Sequence, residues 1–554
     1  MTRQRLGLSA AIVLALCGFA ITLDRVPVAW ADDVWYASVA RSINLSQSGT
    51  PSVLAAPARP VDHVRFYGPV FFQLVAASFR WLGFSLASDR LISLVGALVI
   101  AAAGLVIVRS FGGSVDRQLW ASALLLLTPE LGFSATNGRM DSTAVGLGMA
   151  ALAVYLRGLA RERLPLRHGL AAGLLLGAAA LTTPRMLPFV FAVIFGSAAF
   201  FLMAGPRRRS EWLLLGAMTI GCSIVMGAWT VHAHGGPIEW ARYLIAIVPA
   251  VGVDVAFSPT AVRQWQIEPW RIISSLAAIL GAVIAGNGLV RSRGKHSGRD
   301  RAAGLALTIT SINFIVVVLA FNLTFIFSVY FALPLLAVVL ALPREWFVVS
   351  RSTLSLAGAV LFALDALVRG GKYGGAALTW AARDPERIER FVAVHVPAGS
   401  EVIGEPSVYF YAVEASHSRM RQAFPDNYAD WATWAPRDTQ SPARVGRMER
   451  RRFFLWPADQ RTFVPPAEYL CHDRRLVAVY EPPPTHIEWM GRLAYLTGTP
   501  GYPKSELYEL PPDCPRASRP TSRRTPRATQ PQPPRSSRLA TPPLASHSRP
   551  TGQG

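Results

Sequence analysis

Twelve apolar runs of 16 to 20 residues punctuate the first two thirds of this 554-residue chain. They cover 6–23, 68–86, 91–109, 118–136, 142–160, 169–184, 187–204, 211–230, 272–290, 302–321, 325–342 and 352–368. About 20 apolar residues in a helix cross the ~30 Å hydrocarbon core of a bilayer. Inside lipid the backbone must satisfy itself, which favours helices for runs of this length. Composition agrees: 51% of residues are hydrophobic and 16% charged, against about 25% charged in soluble domains, and mean hydropathy is +0.31. A disordered chain is excluded, and the balance argues against a soluble enzyme.

The formal charge of +21 is carried almost wholly by arginine, with Lys295, Lys372 and Lys504 the only lysines. Its distribution fits a membrane topology better than a nucleic-acid surface. Basic loops stay on the cytoplasmic side. Three stand out: Arg157/Arg161/Arg163/Arg167, Arg207/Arg208/Arg209, and Arg291/Arg293/Lys295/Arg299/Arg301. Two spans separate each from the next, as alternation requires. Counting back places loop 109–117 inside and the segment before residue 91 outside. Arg3 and Arg5 put the N-terminus inside, so the first span exits near Trp30. Both ends of 31–90 are then outside, and run 68–86 cannot cross. With Gly68-Pro69 at its start and Arg80 within it, it is predicted to be an interfacial helix. Eleven spans remain, and the last, 352–368, delivers the C-terminal part outside. Residues 1–31 also resemble a signal peptide ending Ala29-Trp30-Ala31; an uncleaved anchor and a cleaved leader give the same topology beyond.

The expected fold is mainly α: a polytopic membrane helix bundle over 1–370, with outer segments at 31–90 and about 231–271. A small extracytoplasmic α/β domain is expected over 373–513, where short β-like runs (391–396, 401–403, 476–480) alternate with Pro and Gly. Residues 515–554, rich in Pro, Ser, Thr and Arg without an acid, are expected to be a disordered basic tail. No internal repeat supports an inverted-repeat transporter. Cys17, Cys222, Cys471 and Cys514 form no CxxC or metal-ligand spacing. Cys471 and Cys514 are placed to pair only if their segment is extracytoplasmic.

Chemistry-bearing residues begin where the first span ends. Asp32 and Asp33 are adjacent acids. Asp32 suits a helix N-cap, which sets Tyr36 and Ala40 on one face. Arg65, Arg139, Arg185 and Arg242 fall at the outer face in this topology. An unpaired Arg at mid-membrane depth costs ~2.5–3.5 kcal/mol on insertion scales. Arg139 and Arg185 therefore either snorkel to the interface or meet an anion. Asp141, at the start of a span, either stabilises the helix N-terminus or faces a site. His232, His234 and Glu239 are the right types for a divalent metal, but their spacing is not diagnostic.

Five segments, in order across 1–345, resemble the membrane glycosyltransferases that use polyprenyl-phosphate sugars, which include protein O-mannosyltransferases and aminoarabinose transferases of lipid A. The family's first outer loop carries Asp-Glu-x-x-Tyr-x-x-x-Ala-Arg; here Asp32-Asp33-x-x-Tyr36-x-x-x-Ala40-Arg41 matches, with Asp at the second acid. Phe66-Tyr67-Gly68-Pro69-Val70-Phe71-Phe72, followed by Gly83 and Arg90, is similar to the aromatic Pro motif and the Arg of the next span. Arg139-Met140-Asp141-Ser142, Trp229 with Trp240 and Tyr243, and Tyr330-Phe-Ala-Leu-Pro334 resemble the remaining three. Aminoarabinose transferases have Lys immediately before the motif's Pro, where this chain has Gly68; Arg65 lies three residues earlier.

The resemblance implies a GT-C-like fold in the inner (plasma) membrane. It also implies transfer of a sugar from a polyprenyl-phosphate donor to a lipid, envelope glycan or protein acceptor outside the cytoplasm. The donor's phosphate is a stable leaving group, so the chemistry asks for one base to deprotonate the acceptor hydroxyl. The resemblance points to Asp32, with Asp33 as the alternative. Arg65, Arg139 and Arg185 would bind phosphate, for which the guanidinium fork is suited. Tyr36, Tyr67, Asp141 and Arg242 would line the cavity. No cofactor is implied; a divalent metal is compatible, and nucleic acid is not a partner. A carrier or flippase for a lipid-linked or small hydrophilic solute is the alternative, as is a non-catalytic glycan binder. Acids at the outer rim and unlike halves favour the enzyme. The topology predicts accessibility: in a chain with its four cysteines replaced by serine, impermeant thiol reagents on intact cells should label Asp430→Cys but not Arg163→Cys, Arg208→Cys or Lys295→Cys.

Overall fold

The computed structural model describes residues 3–29, 31–45, 63–160, 166–203, 209–247, 297–320, 325–342 and 374–404. Further along it describes 409–410, 413, 419–422, 451–457, 473–485 and 501–512. The expected spans 272–290 and 352–368, the pair Cys471 and Cys514, and the tail 515–554 lie outside these. The helices are α1 (Arg3–Ile21), α2 (Ala31–Asn44), α3 (His63–Tyr67), α4 (Val70–Leu82), α5 (Leu86–Ser110), α6 (Val115–Leu126), α7 (Pro129–Ala135) and α8 (Asp141–Leu159). They continue as α9 (Leu166–Ala180), α10 (Leu187–Met203), α11 (Arg209–His234), α12 (Pro237–Ile247), α13 (Gly298–Ala320), α14 (Phe325–Ala341) and α15 (Pro385–His395).

Among the described residues six helices are long and apolar enough to cross a membrane: α1, α5, α8, the turn Pro184–Met186 with α10, α11, and α13. Three expected runs take other forms. Run 68–86 becomes the 13-residue α4, only ~20 Å long at 1.5 Å per residue. Run 118–136 is two helices, because Thr128 is extended and Pro129 starts α7; a proline lacks the N–H to continue the first helix. Run 169–184 yields the 15-residue α9, which ends before Thr182-Thr183-Pro184.

The bundle has two polar ends. At one, Arg5 Nε pairs with Asp116 at 2.6 Å and Arg301 holds buried Glu211 through two 2.7 Å hydrogen bonds. The Arg299 side chain covers Gly112, and Gly298 lies against the Ala160 carbonyl. These contacts gather the basic loops that positive-inside reasoning places on a single side. Asp33, Arg90, Arg139, Asp141 and Arg185 cluster elsewhere, beyond the opposite end of α1.

α5 and α8 set that second cluster. A Cβ at Gly96 would lie 2.5 Å from Thr143 N, and one at Gly146 2.7 Å from Gly96 O, so the two backbones touch. Hydroxyls complete the clasp: Ser93 Oγ donates to Arg139 O (2.6 Å), Ser142 Oγ to Ser93 O (2.7 Å), and Thr143 Oγ1 to Ile92 O (3.2 Å).

Among the described residues five strands form one sheet: β1 (Glu401–Gly404), β2 (Arg419–Gln422), β3 (Arg452–Pro457), β4 (Arg475–Tyr480) and β5 (Ser505–Leu510). Their order is β2-β1-β3-β5-β4. β1 runs parallel to β2 and β3, and β5 antiparallel to β3 and β4. Val402, Leu455 and Leu507 from the sheet and Ile388 and Val392 from α15 share a single apolar core with Val34, Ala37, Phe71, Phe72 and Val75 of α2 and α4. The sheet thus packs on the same interior as α2 and α4.

The glycine contact predicts a contrast. Gly96→Val should lower the thermal midpoint in detergent by an amount equivalent to ~1–3 kcal/mol, the usual cost of overpacking. Gly216→Val, where a Cβ meets nothing within 4 Å, should not.

Candidate active site

Asp33 is taken up structurally. It is fully buried in α2, as is Arg90 in α5. Arg90 Nη2 donates to Asp33 Oδ2 at 2.8 Å and Nε to Oδ1 at 3.3 Å, while Nη1 donates to the carbonyls of Leu23 (3.0 Å) and Pro27 (2.6 Å). Asp33 Oδ1 also accepts from Gly138 N. The pair thereby joins the end of α1, the start of α2, α5 and the segment before α8. Asp32 lies in the first turn of α2; its side chain is outside the described residues.

The second group centres on Asp141, the first residue of α8 and 2% exposed. It accepts from Arg139 Nε at 2.6 Å, from Arg185 Nη1 at 3.4 Å and from the Tyr330 hydroxyl of α14. Arg139 is buried, whereas the Arg185 side chain keeps 20% exposure, which leaves it the more accessible cation. The turn before α10 presents it: Thr183 is extended and its hydroxyl accepts from Arg185 N. Arg185 also feels Tyr36 and Tyr67. Tyr36 and Tyr67 pack edge to face, 5.7 Å between centroids, and Phe71 and Phe72 flank Tyr36 at 6.1 Å. Burial, with the neighbouring Tyr67 phenol, pushes the Tyr36 hydroxyl well above its ordinary pKa. Tyr36 therefore acts as a neutral hydroxyl.

Gly68 explains the missing lysine. Its φ is +104°, and a Cβ there would collide with the Leu181 carbonyl. Val70 N donates to that same oxygen at 3.3 Å. The backbone of the α3–α4 turn is thus pressed against the chain four residues before Arg185, and no side chain fits between.

Asp141, Arg139, Arg185, Tyr36 and Tyr67 are therefore brought together. Arg65 is exposed on α3, with His234 Nε2 at 3.2 Å from its carbonyl. Arg242 is not drawn into this group: it is exposed on α12 and pairs with Glu239 at 2.6 Å. His232 sits beside Trp229, and His234 beside Tyr243. Among the described residues no three His, Cys, Asp or Glu side chains are placed to hold a metal. Tyr330 was singled out only as part of a motif; a hydroxyl inside an apolar run was its signal. Arg90 carried a similar signal, an ionisable group at the start of a span.

No family model and no curated protein matches the chain by sequence. Solved structures do. ArnT from Cupriavidus metallidurans bound to undecaprenyl phosphate superposes with a TM-score of 0.57 over 90% of this chain and 97% of its own, at 14% identity. The apo state of the same protein gives 0.53 over the same shares, at 13% identity. The chain has the GT-C fold. That agreement extends over nearly the full length of both chains.

Removing one member of a buried ion pair costs about 3–5 kcal/mol. Arg90→Met should accordingly abolish or sharply lower the thermal transition of the purified protein, whereas Arg80→Met, an exposed side chain bonded to Asn44, should shift it by about 0.5 kcal/mol or less.

Proposed function

We propose that this protein is an integral-membrane glycosyltransferase that moves a sugar from a polyprenyl-phosphate donor to an acceptor hydroxyl outside the cytoplasm. The observation that carries this reading is the convergence of Arg139 and Arg185 on Asp141 beside Tyr36 and Tyr67. It lies at the end of the bundle away from the basic loops, in a chain with the fold of a protein solved with undecaprenyl phosphate.

Roles follow from geometry. Asp141 is saturated by two guanidinium groups and a phenol, so its work is to hold cations rather than take a proton. Arg185, the more exposed, contacts the donor phosphate; Arg139 backs it. Tyr36 and Tyr67 offer hydroxyls and aromatic faces to the sugar. Asp33 is committed to Arg90, which leaves Asp32, one residue earlier, as the base. In the step, the acceptor oxygen forms a bond to the anomeric carbon while its proton passes to the Asp32 carboxylate. The bond from that carbon to the phosphate oxygen breaks, and the electron pair leaves on polyprenyl phosphate, whose charge Arg185 stabilises. No general acid is needed, and the sugar and acceptor await identification.

The test is incubation of the purified protein with radiolabelled polyprenyl-phosphate sugars and a membrane extract, with the labelled product identified. Asp32→Asn should lower turnover by ~10²–10⁴, the usual range for a general base, with donor binding retained. Arg185→Ala should weaken binding of undecaprenyl phosphate. Full turnover by Asp32→Asn would remove it as base.

A further inference from the structure

Beside the Asp33–Arg90 pair lies a second acid that the reaction does not use. Asp89, in the first turn of α5, is 0% exposed, and among the described residues neither carboxylate oxygen has a hydrogen-bond partner. Its neighbour in sequence, Arg90, turns to Asp33 and to two carbonyls. Asp89 and Asp33 nevertheless converge. A Cβ at Gly138 would collide with Asp89 Oδ2 and stand 2.8 Å from Asp33 Oδ1. Both carboxyl groups thus reach toward the same few ångströms of space, which only a glycine leaves open.

Two negative charges cannot share such a place on one guanidinium. An ionised carboxylate buried without a donor is too costly to persist, and such a group takes up a proton instead. One proton makes the trio Asp33, Asp89 and Arg90 neutral. A proton needs no extra volume.

We propose that Asp89 is a protonated carboxylic acid that donates a hydrogen bond to Asp33, and that this shared proton positions the segment carrying Arg139 and Asp141. The chain of contacts is short. The Asp89 acid donates to Asp33; Asp33 accepts from Gly138 N; Arg139 follows at once, with its carbonyl held by Ser93. Asp89 is a positioning residue and touches no substrate in this scheme. The inference does not depend on the sugar-transfer reading.

The full-length protein in detergent at neutral pH provides the test. An infrared difference spectrum of wild type minus Asp89→Asn should show the carbonyl band of a protonated acid, moving on labelling with carboxyl-¹³C aspartate. Asp89→Asn keeps a donor in place of the acid O–H, so its thermal midpoint should stay near that of wild type. Asp89→Leu removes the donor and should lose several degrees. A carboxylate band in place of the acid band would overturn the proposal in favour of an ionised Asp89. Failure of Asp89→Asn to fold, or equal midpoints for Asn and Leu, would overturn it too.

Discussion

The Arg90–Asp33 ion pair is the contact on which the site end of this protein depends. One guanidinium ties the exit of α1, the entry of α2 and the start of α5, and its carboxylate partner takes in the Gly138 amide as well. Desolvating two charges is expensive, and the return comes only when the remaining hydrogen-bonding capacity is filled. Here the carbonyls of Leu23 and Pro27 do that for the arginine. The result is a fixed geometry for four chain segments between Leu23 and Gly138, two of which lead directly to Tyr36 and Asp141.

From that anchor the candidate site is built by opposed surfaces. α2, α3 and α4 bring tyrosine and phenylalanine rings; the 137–141 segment and the turn at Pro184–Met186 bring cations; α14 brings a phenol. Asp141 keeps two guanidinium groups near each other that would otherwise repel. One stays buried while the other keeps partial exposure. Such an arrangement is preorganised for an incoming anion, since the cations need not be gathered at the moment of binding.

Much of this was legible in the chain. Apolar run length announces α1, α5, α8, α10, α11 and α13, and the alternation of arginine loops argues against 68–86 as a crossing. The break of run 118–136 could have been read at Thr128-Pro129, where proline overrides hydropathy. Tyr36, Tyr67, Arg139, Asp141 and Arg185 were legible through type, order and resemblance. Pairings were not. Arg90 lies 57 positions from Asp33 and Tyr330 lies 189 from Asp141, and no local pattern encodes a contact of that span. Nor does local sequence mark Asp33 as a buried anchor; the partners that hold it come from the fold.

The core shared by α2, α4, α15 and the sheet bears on how the molecule is made. Val34 and Phe72 emerge from the ribosome early, yet the residues that cover them, up to Leu507, are synthesised more than 400 positions later. Until then α2 and α4 present an unfinished apolar wall. Assembly order is therefore inverted relative to synthesis order. A segment made early is the last to be completed, and truncations near the end of the sheet would be felt in the core that holds Tyr36, far upstream in the sequence.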